Sequence, residues 1–507
     1  MLLILLGVLI RLCVTLHSYS GQNKPPMFGD YEAQRHWMEI THNLPIEEWY
    51  FNSTNNDLMY WGLDYPPLTA YHSWLCGKVA ASINASYVEL HKSRGYESEN
   101  HKIFMRFTVL IADIITFIPA IFVFYRQKNS VSIHKAKEYS VSTNEATKLS
   151  CLLALIYPGI ILIDHGHFQY NCVSLGLFIF AVCAIVQERH LIASVLFCCA
   201  LCYKQMELYH ALPIFFYLLG QCWSVFKQKG ILKAVLKLIS IGIVVVVTFA
   251  LICFPFLRNT EQLFQLIVRL FPISRGVYED KVANVWCAIN VICKLKLMFS
   301  NQTMVKICLI CTCLAVLPSC YDVLMYNSLV KFKYSLVNSA LSFFLFSYQV
   351  HEKSILLAAT PALLVLPYDP LISIWFLCIS VFSMVPLFIK DKILLPYSAL
   401  SLLFILTFTS SSFNKTNKIS ENSITSKGSM LKFMKQSIYK YLFYMSLVGC
   451  LALSICINFL SPPKKYPDLF PLIISVYSCL HFVAFLVYFN IRQWTWNRPN
   501  EIKSKYD

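Results

Sequence analysis

"KLISIGIVVVVTFALICFPF", residues 237–256, has a single charge, at Lys237. About twenty apolar residues in an α-helix rise about 30 Å, the thickness of a bilayer's hydrocarbon core. The run is continuous rather than alternating, so it reads as a transmembrane helix and not as a barrel strand. Comparable runs recur along all 507 residues, of which 57% are hydrophobic and 14% charged. Mean hydropathy is +0.56. The fold class is an all-α polytopic membrane protein.

Fourteen spans are expected, at roughly 1–17, 103–125, 149–163, 172–187, 190–204, 207–224, 237–256, 304–325, 334–348, 355–368, 371–389, 393–412, 438–460 and 469–491. An even number places both termini on one side. The loops after spans two, six, eight and twelve and the C-terminal tail are lysine-rich and fall on that side, which is therefore read as cytosolic. Residues 18–102 fall on the opposite side, with ten acids against six Lys plus Arg. The first twenty residues have no basic n-region and no small-residue cleavage site, and Arg11 interrupts the run, so an uncleaved signal anchor is expected.

The net charge of +16 lies mostly in short loops, which argues against a nucleic-acid partner. Most of the 20 cysteines sit inside apolar runs as small hydrophobes, and no zinc spacing is present. The 15 glycines form neither a phosphate loop nor a dinucleotide fingerprint. No internal repeat favours a secondary transporter.

The polar chemistry collects on the far side. "GDYEAQRHWMEI" supplies Asp30, Glu32, Arg35 and His36. Asp30 reads either as a helix cap above a stripe of Trp37, Ile40 and Leu44, with the other charges solvated, or as a carboxylate held at the membrane's mouth. The spacing of Asp30 and Glu32 suits a divalent cation only with more oxygen ligands than two carboxylates supply. "YWGLDYPPLTAYHSW" (60–74) offers Asp64 and Tyr65 before a Pro-Pro turn, with aromatics that suit a membrane interface or a sugar face. "DHGHFQYN" (164–171) brings His167 and Gln169, and "YKQMELYH" (203–210) brings Lys204 and Gln205. Arg275 and Lys281 lie in the segment 257–303, and "VHEKS" contains His351, Glu352 and Lys353. Ionisable groups at membrane depth are costly unless they line a cavity or pair. Such clusters suit an anionic substrate with a lipid and a sugar part. Asn52 and Asn84 open N-glycosylation sequons in the first far-side segment. The sequon at Asn414 falls on the cytosolic side and is expected to be unmodified.

These stretches, together with "LFPISRGVYEDKVAN", resemble the dolichyl-phosphate-glucose-dependent glucosyltransferases of the endoplasmic reticulum, in order and over nearly the whole chain. "GDYEAQRHWMEIT" and "YKQMELYHALP" are most similar to the branch that adds the first glucose; the alternative is the sister that adds the second. The resemblance implies a GT-C fold in one domain over 1–507. Its parts would be a first luminal loop at 18–102, a second at 257–303 and a cytosolic linker at 414–437. It implies a dolichyl phosphate glucose donor, a dolichyl pyrophosphate-linked oligosaccharide acceptor, inversion, and no cofactor or required metal. It maps the family's catalytic base onto Asp30, its second loop aspartate onto Asp64, and its donor-phosphate motif onto His351, Glu352 and Lys353. A monomer in the endoplasmic reticulum membrane, with a luminal active site, is expected.

Overall fold

The computed structural model describes residues 2–127, 143–271, 281–419 and 427–496. Arg275, most of the lysine-rich loop after span two, the middle of the 414–437 linker and the tail beyond 496 lie outside them. Every regular element among the described residues is helical. The chain begins with α1 (Leu2–Thr15), α2 (Asp30–Asn43), α3 (Pro67–Ile83), α4 (Glu99–Ile115), α5 (Phe117–Arg126) and α6 (Thr143–Leu155). It continues through α7 (Pro158–Ile161), a π-helical turn (Leu162–Phe168), α8 (Asn171–Val186), α9 (His190–Tyr203), α10 (Leu208–Lys229) and α11 (Ile231–Cys253). Next come α12 (Thr260–Leu270), α13 (Val285–Ile292), α14 (Leu295–Met298), α15 (Asn301–Tyr326), α16 (Leu329–Phe346) and α17 (Ile355–Val365). The last are α18 (Pro370–Phe382), α19 (Val385–Lys390), α20 (Leu394–Ile419), α21 (Lys427–Phe459) and α22 (Leu469–Thr495).

Each of the fourteen expected spans overlaps helix, but fewer than fourteen helices among the described residues have the length and apolar character to cross a membrane. Eight helical stretches among the described residues are long and apolar enough to cross a membrane, and α1, α8, α9 and α18 are shorter apolar helices. Of the shorter helices α8 and α18 are mostly buried, whereas α1 keeps Leu2, Leu5 and Leu9 exposed. α17 is buried along its whole length, and α16 packs between α15, α17 and α22. By contrast α11 turns Val246 and Leu251, 67% and 72% exposed, outward. A hydrocarbon solvent permits such apolar outer faces, because helices satisfy their own backbone groups.

Arg11 explains why a charge interrupts the first run. It is fully buried, and its Nε meets Asp113 Oδ2 on α4 at 2.5 Å. Its Nη1 donates to Leu155 O at 2.8 Å. Asp113 Oδ2 also meets His165 Nε2, in the π-helical turn, at 2.8 Å. Pairing offsets the desolvation of each charge. So α1 is built into the bundle and is tied to the turn that carries His167.

On the far side, Trp37, Ile40 and Leu44 do form one stripe. They pack with Trp49, Tyr50 and Leu63 against Phe256 and Leu266. The segments around 18–102 and 254–270 thus share one apolar core above the helices.

Asp113→Leu would leave Arg11 buried without its carboxylate. The change is expected to cost about 3 kcal/mol or more. Thermal unfolding in detergent should show a lower midpoint than for the double variant Arg11→Leu/Asp113→Leu. A wild-type midpoint in the single variant would show that the pair is not what holds α1.

Candidate active site

Gly29 places Asp30. Its φ is +96°, and a Cβ there would lie 2.7 Å from Ser20 Oγ. Ser20 Oγ accepts from Asp30 N at 3.3 Å, and Ser20 N donates to His167 O at 3.0 Å. Asp30 is therefore the first residue of α2 rather than its cap, which is Gly29. A carboxylate there gains from the helix dipole.

The side chain turns away from its own helix. Asp30 Oδ2 accepts from Gln169 Nε2 at 2.5 Å and from Lys353 Nζ at 2.6 Å, and meets His167 Nε2 at 3.1 Å. Oδ1 has no hydrogen-bond partner among the described residues, and the side chain keeps 23% of its surface open. One oxygen is pinned and the other is available. Burial pushes the Asp30 carboxyl upward, but Lys353 and His167 hold it well below the usual carboxylate range. Burial likewise opposes the Lys353 ammonium, and Asp30 holds it charged, above its ordinary range.

Two further layers support this point. Gln169 Oε1 accepts from Asn171 Nδ2 at 3.1 Å and from Lys204 Nζ at 3.4 Å. Lys204 donates also to Asn171 Oδ1 at 2.5 Å and sits 5.1 Å from the Tyr65 ring centre. Gln34, Tyr65, Gln169, Tyr203 and Lys204 line a small cavity there. On the other flank, His167 Nδ1 meets Asp391 Oδ2 at 2.5 Å.

The structure thus gathers Asp30, His167, Gln169, Lys204, Tyr65 and Lys353. It does not bring Glu32, Arg35 and His36 to that point. The reading that left them as a solvated face fails, since all three are buried. Arg35 grips Glu32 through Nε and Nη2 at 2.7 and 2.6 Å, and Nη2 meets Glu39 Oε2 at 2.7 Å. His36 Nδ1 meets Glu39 at 3.2 Å, and Tyr60 donates to Glu32 at 2.8 Å. Burial pushes Glu39 up, but His36 and Arg35 bring it down to about 2. Glu32 is therefore turned to Arg35 rather than paired with Asp30 for a cation. Among the described residues no three His, Cys, Asp or Glu side chains gather as a metal site.

The backbone of Asp64 accepts from Gln205 Nε2 at 3.0 Å, which ties the Pro-Pro turn to the end of α9. Glu352 and Lys353 open a single 3-10 turn, with exposed His351 just before it. Lys281 pairs with Asp468 at a partly exposed position. Asn84 is exposed, and its Oδ1 accepts from Ser86; Asn52 Oδ1 accepts from Leu58 N at 3.2 Å.

Sequence reasoning missed Asp391, Glu39 and Arg269. Asp391 lies in the "KDK" between spans eleven and twelve, which span parity places on the far side. Glu39 follows Arg35 at i+4, a helical pairing distance. Arg269 bonds Gly62 O and Leu63 O at 2.8 and 3.1 Å, and no local signal marked it.

A family model described as the ALG6, ALG8 glycosyltransferase family matches residues 7–488. A chicken protein named dolichyl pyrophosphate Man9GlcNAc2 alpha-1,3-glucosyltransferase is 48% identical over 497 residues, 96% of this chain and 95% of its own. The rat protein of that name is 48% identical over the same shares. A Drosophila melanogaster relative, named as the probable enzyme, is 46% identical over 490 residues, 97% of each chain.

Lys353→Met removes the largest lowering influence on Asp30 while burial stays. In wild type the acidic limb of kcat/KM is expected below about pH 4, under the free carboxylate value. In the variant it is expected to move up. A pH–rate profile with an unmoved limb would count against Asp30 as the titrating base.

Proposed function

The chain is a member of the ALG6, ALG8 glycosyltransferase family, and from that premise we propose the following reaction. It transfers glucose from dolichyl phosphate glucose, with inversion, onto a 3-hydroxyl of the dolichyl pyrophosphate-linked nine-mannose oligosaccharide. The observation that carries the chemistry is Asp30, with Oδ2 pinned by Lys353, His167 and Gln169 and Oδ1 open.

The acceptor oxygen attacks the anomeric carbon in line, and the bond from that carbon to the phosphate oxygen breaks. The hydroxyl proton goes to Asp30 Oδ1, and the electron pair leaves with dolichyl phosphate. A phosphate leaves without a general acid. It needs positive charge beside it, and Lys353 is the nearest cation to the base. When Lys353 turns to the donor phosphate, its hold on Asp30 loosens and the carboxylate becomes a better base. Base strength then rises when the donor is seated.

His351 and Glu352 flank Lys353 in sequence, and Arg275 and Lys281 are further candidate cations for the donor phosphate. Tyr65, with Asp64 beside it, offers an aromatic wall for a sugar face. Lys204 lines the same small cavity, and Gln205 holds the backbone of Asp64 beside it. Glu32, Arg35 and His36 serve by holding α2 rigid. No cofactor and no metal enters a step. The protein works as a monomer in the endoplasmic reticulum membrane, with the site luminal and both termini cytosolic. The apolar outer helix faces leave room for the two dolichyl chains.

Purified wild type and Asp30→Asn, each with and without EDTA, test this with dolichyl phosphate glucose and the nine-mannose acceptor. Wild type is expected to transfer regardless of EDTA, and Asp30→Asn to lose about 10²–10⁴-fold in kcat. Transfer only to the once-glucosylated acceptor would assign the sister step, and full activity in Asp30→Asn would remove Asp30 as base. For topology, a glycosidase mobility shift that disappears in the double variant Asn52→Gln/Asn84→Gln is expected; addition at Asn414 instead would invert the orientation.

A further inference from the structure

Asp391 is a carboxylate that the reaction above does not use. It is 3% exposed, and its side chain's only hydrogen-bond partner among the described residues is His167 Nδ1, at 2.5 Å. A buried carboxylate with a single hydrogen-bond partner is costly to keep, so its place needs a reason. The turn that holds it is fastened to the segment leading into Asp30. Ser18 donates to Asp391 O, and Lys24 Nζ donates to Lys390 O at 2.9 Å. Arg106 Nη2 then ties Ser18 O to Gly166 O, at 2.9 Å each, beside His167. The turn after α19, the chain before α2 and the π-helical turn are thus one unit behind the base.

The imidazole bridges that unit to Asp30. With Nδ1 committed to Asp391, Nε2 is the ring atom left to meet Asp30 Oδ2 at 3.1 Å and Lys353 Nζ at 3.2 Å. The second partner of a histidine ring fixes its plane and its tautomer. A base oriented by a third group is a recurring arrangement on unrelated folds. Resting on the reading of Asp30 as base, we infer that Asp391 is a positioning residue for the glucosyl transfer. Through His167 it keeps Asp30 Oδ2 engaged and presents Oδ1 to the acceptor hydroxyl.

The test uses the full chain in detergent, with dolichyl phosphate glucose and the nine-mannose acceptor. Asp30→Asn is run first; if it is fully active, the base assignment fails and Asp391 is not at issue. With Asp30→Asn inactive, Asp391→Asn is expected to lose about tenfold or more in kcat, with both KM values within about threefold. Asp391→Glu, which keeps the charge, should show a smaller fall. The double variant with His167→Gln should be no worse than His167→Gln alone, because Asp391 acts only through that ring. Wild-type kcat in Asp391→Asn, a change in KM alone, or additive losses in the double variant would each overturn the inference. Should Asp391→Asn not fold, Asp391→Glu decides: lower kcat at constant KM supports the role, and wild-type kcat overturns it.

Discussion

Three hydrogen bonds meet on one oxygen, Asp30 Oδ2, and the far-side architecture is arranged around them. The groups that meet it come from residues 137, 139 and 323 positions further along the chain. None of these groups is affordable alone in a half-buried place. Together they neutralise one another, and the net effect is a charged cluster that is stable with one oxygen left open.

Two other ion networks make that cluster rigid. Arg35, with Glu32 and Glu39, stiffens α2 from within and locks it to Ser93, which accepts from Arg35 Nη1 at 2.5 Å. Arg11, with Asp113 and His165, ties α1 and α4 to the π-helical turn. His165 and His167 sit two positions apart, yet they serve different carboxylates, inside the bundle and at its mouth. Residues two apart on a helical turn do not face each other, so the two rings reach different neighbours.

Where local physics dominates, sequence reading reached the molecule. Long apolar runs become helices because nothing else satisfies the backbone in hydrocarbon. Asp30, His167 and Lys353 stood out because ionisable groups at such ends demand a reason. The reading failed where partners come from afar. Arg35 and His36 read either as substrate-binding groups or as a solvated face, since residues 60 and 93, which cover them, are not their neighbours in sequence. Asp391 looked like one charge in a lysine turn, since only folding sets it against His167.

The sequence by itself determined the class of protein, the helical spans, the polar face and a family resemblance carried by contiguous motifs. Those properties depend on residues within one helix or one turn of each other. Tertiary structure alone decided which carboxylates are free and which are bound. It also set Glu32 against Arg35 and Asp391 against His167. The reason is that a charge's role depends on the charges within a few ångströms, and in this fold those lie tens to hundreds of residues away.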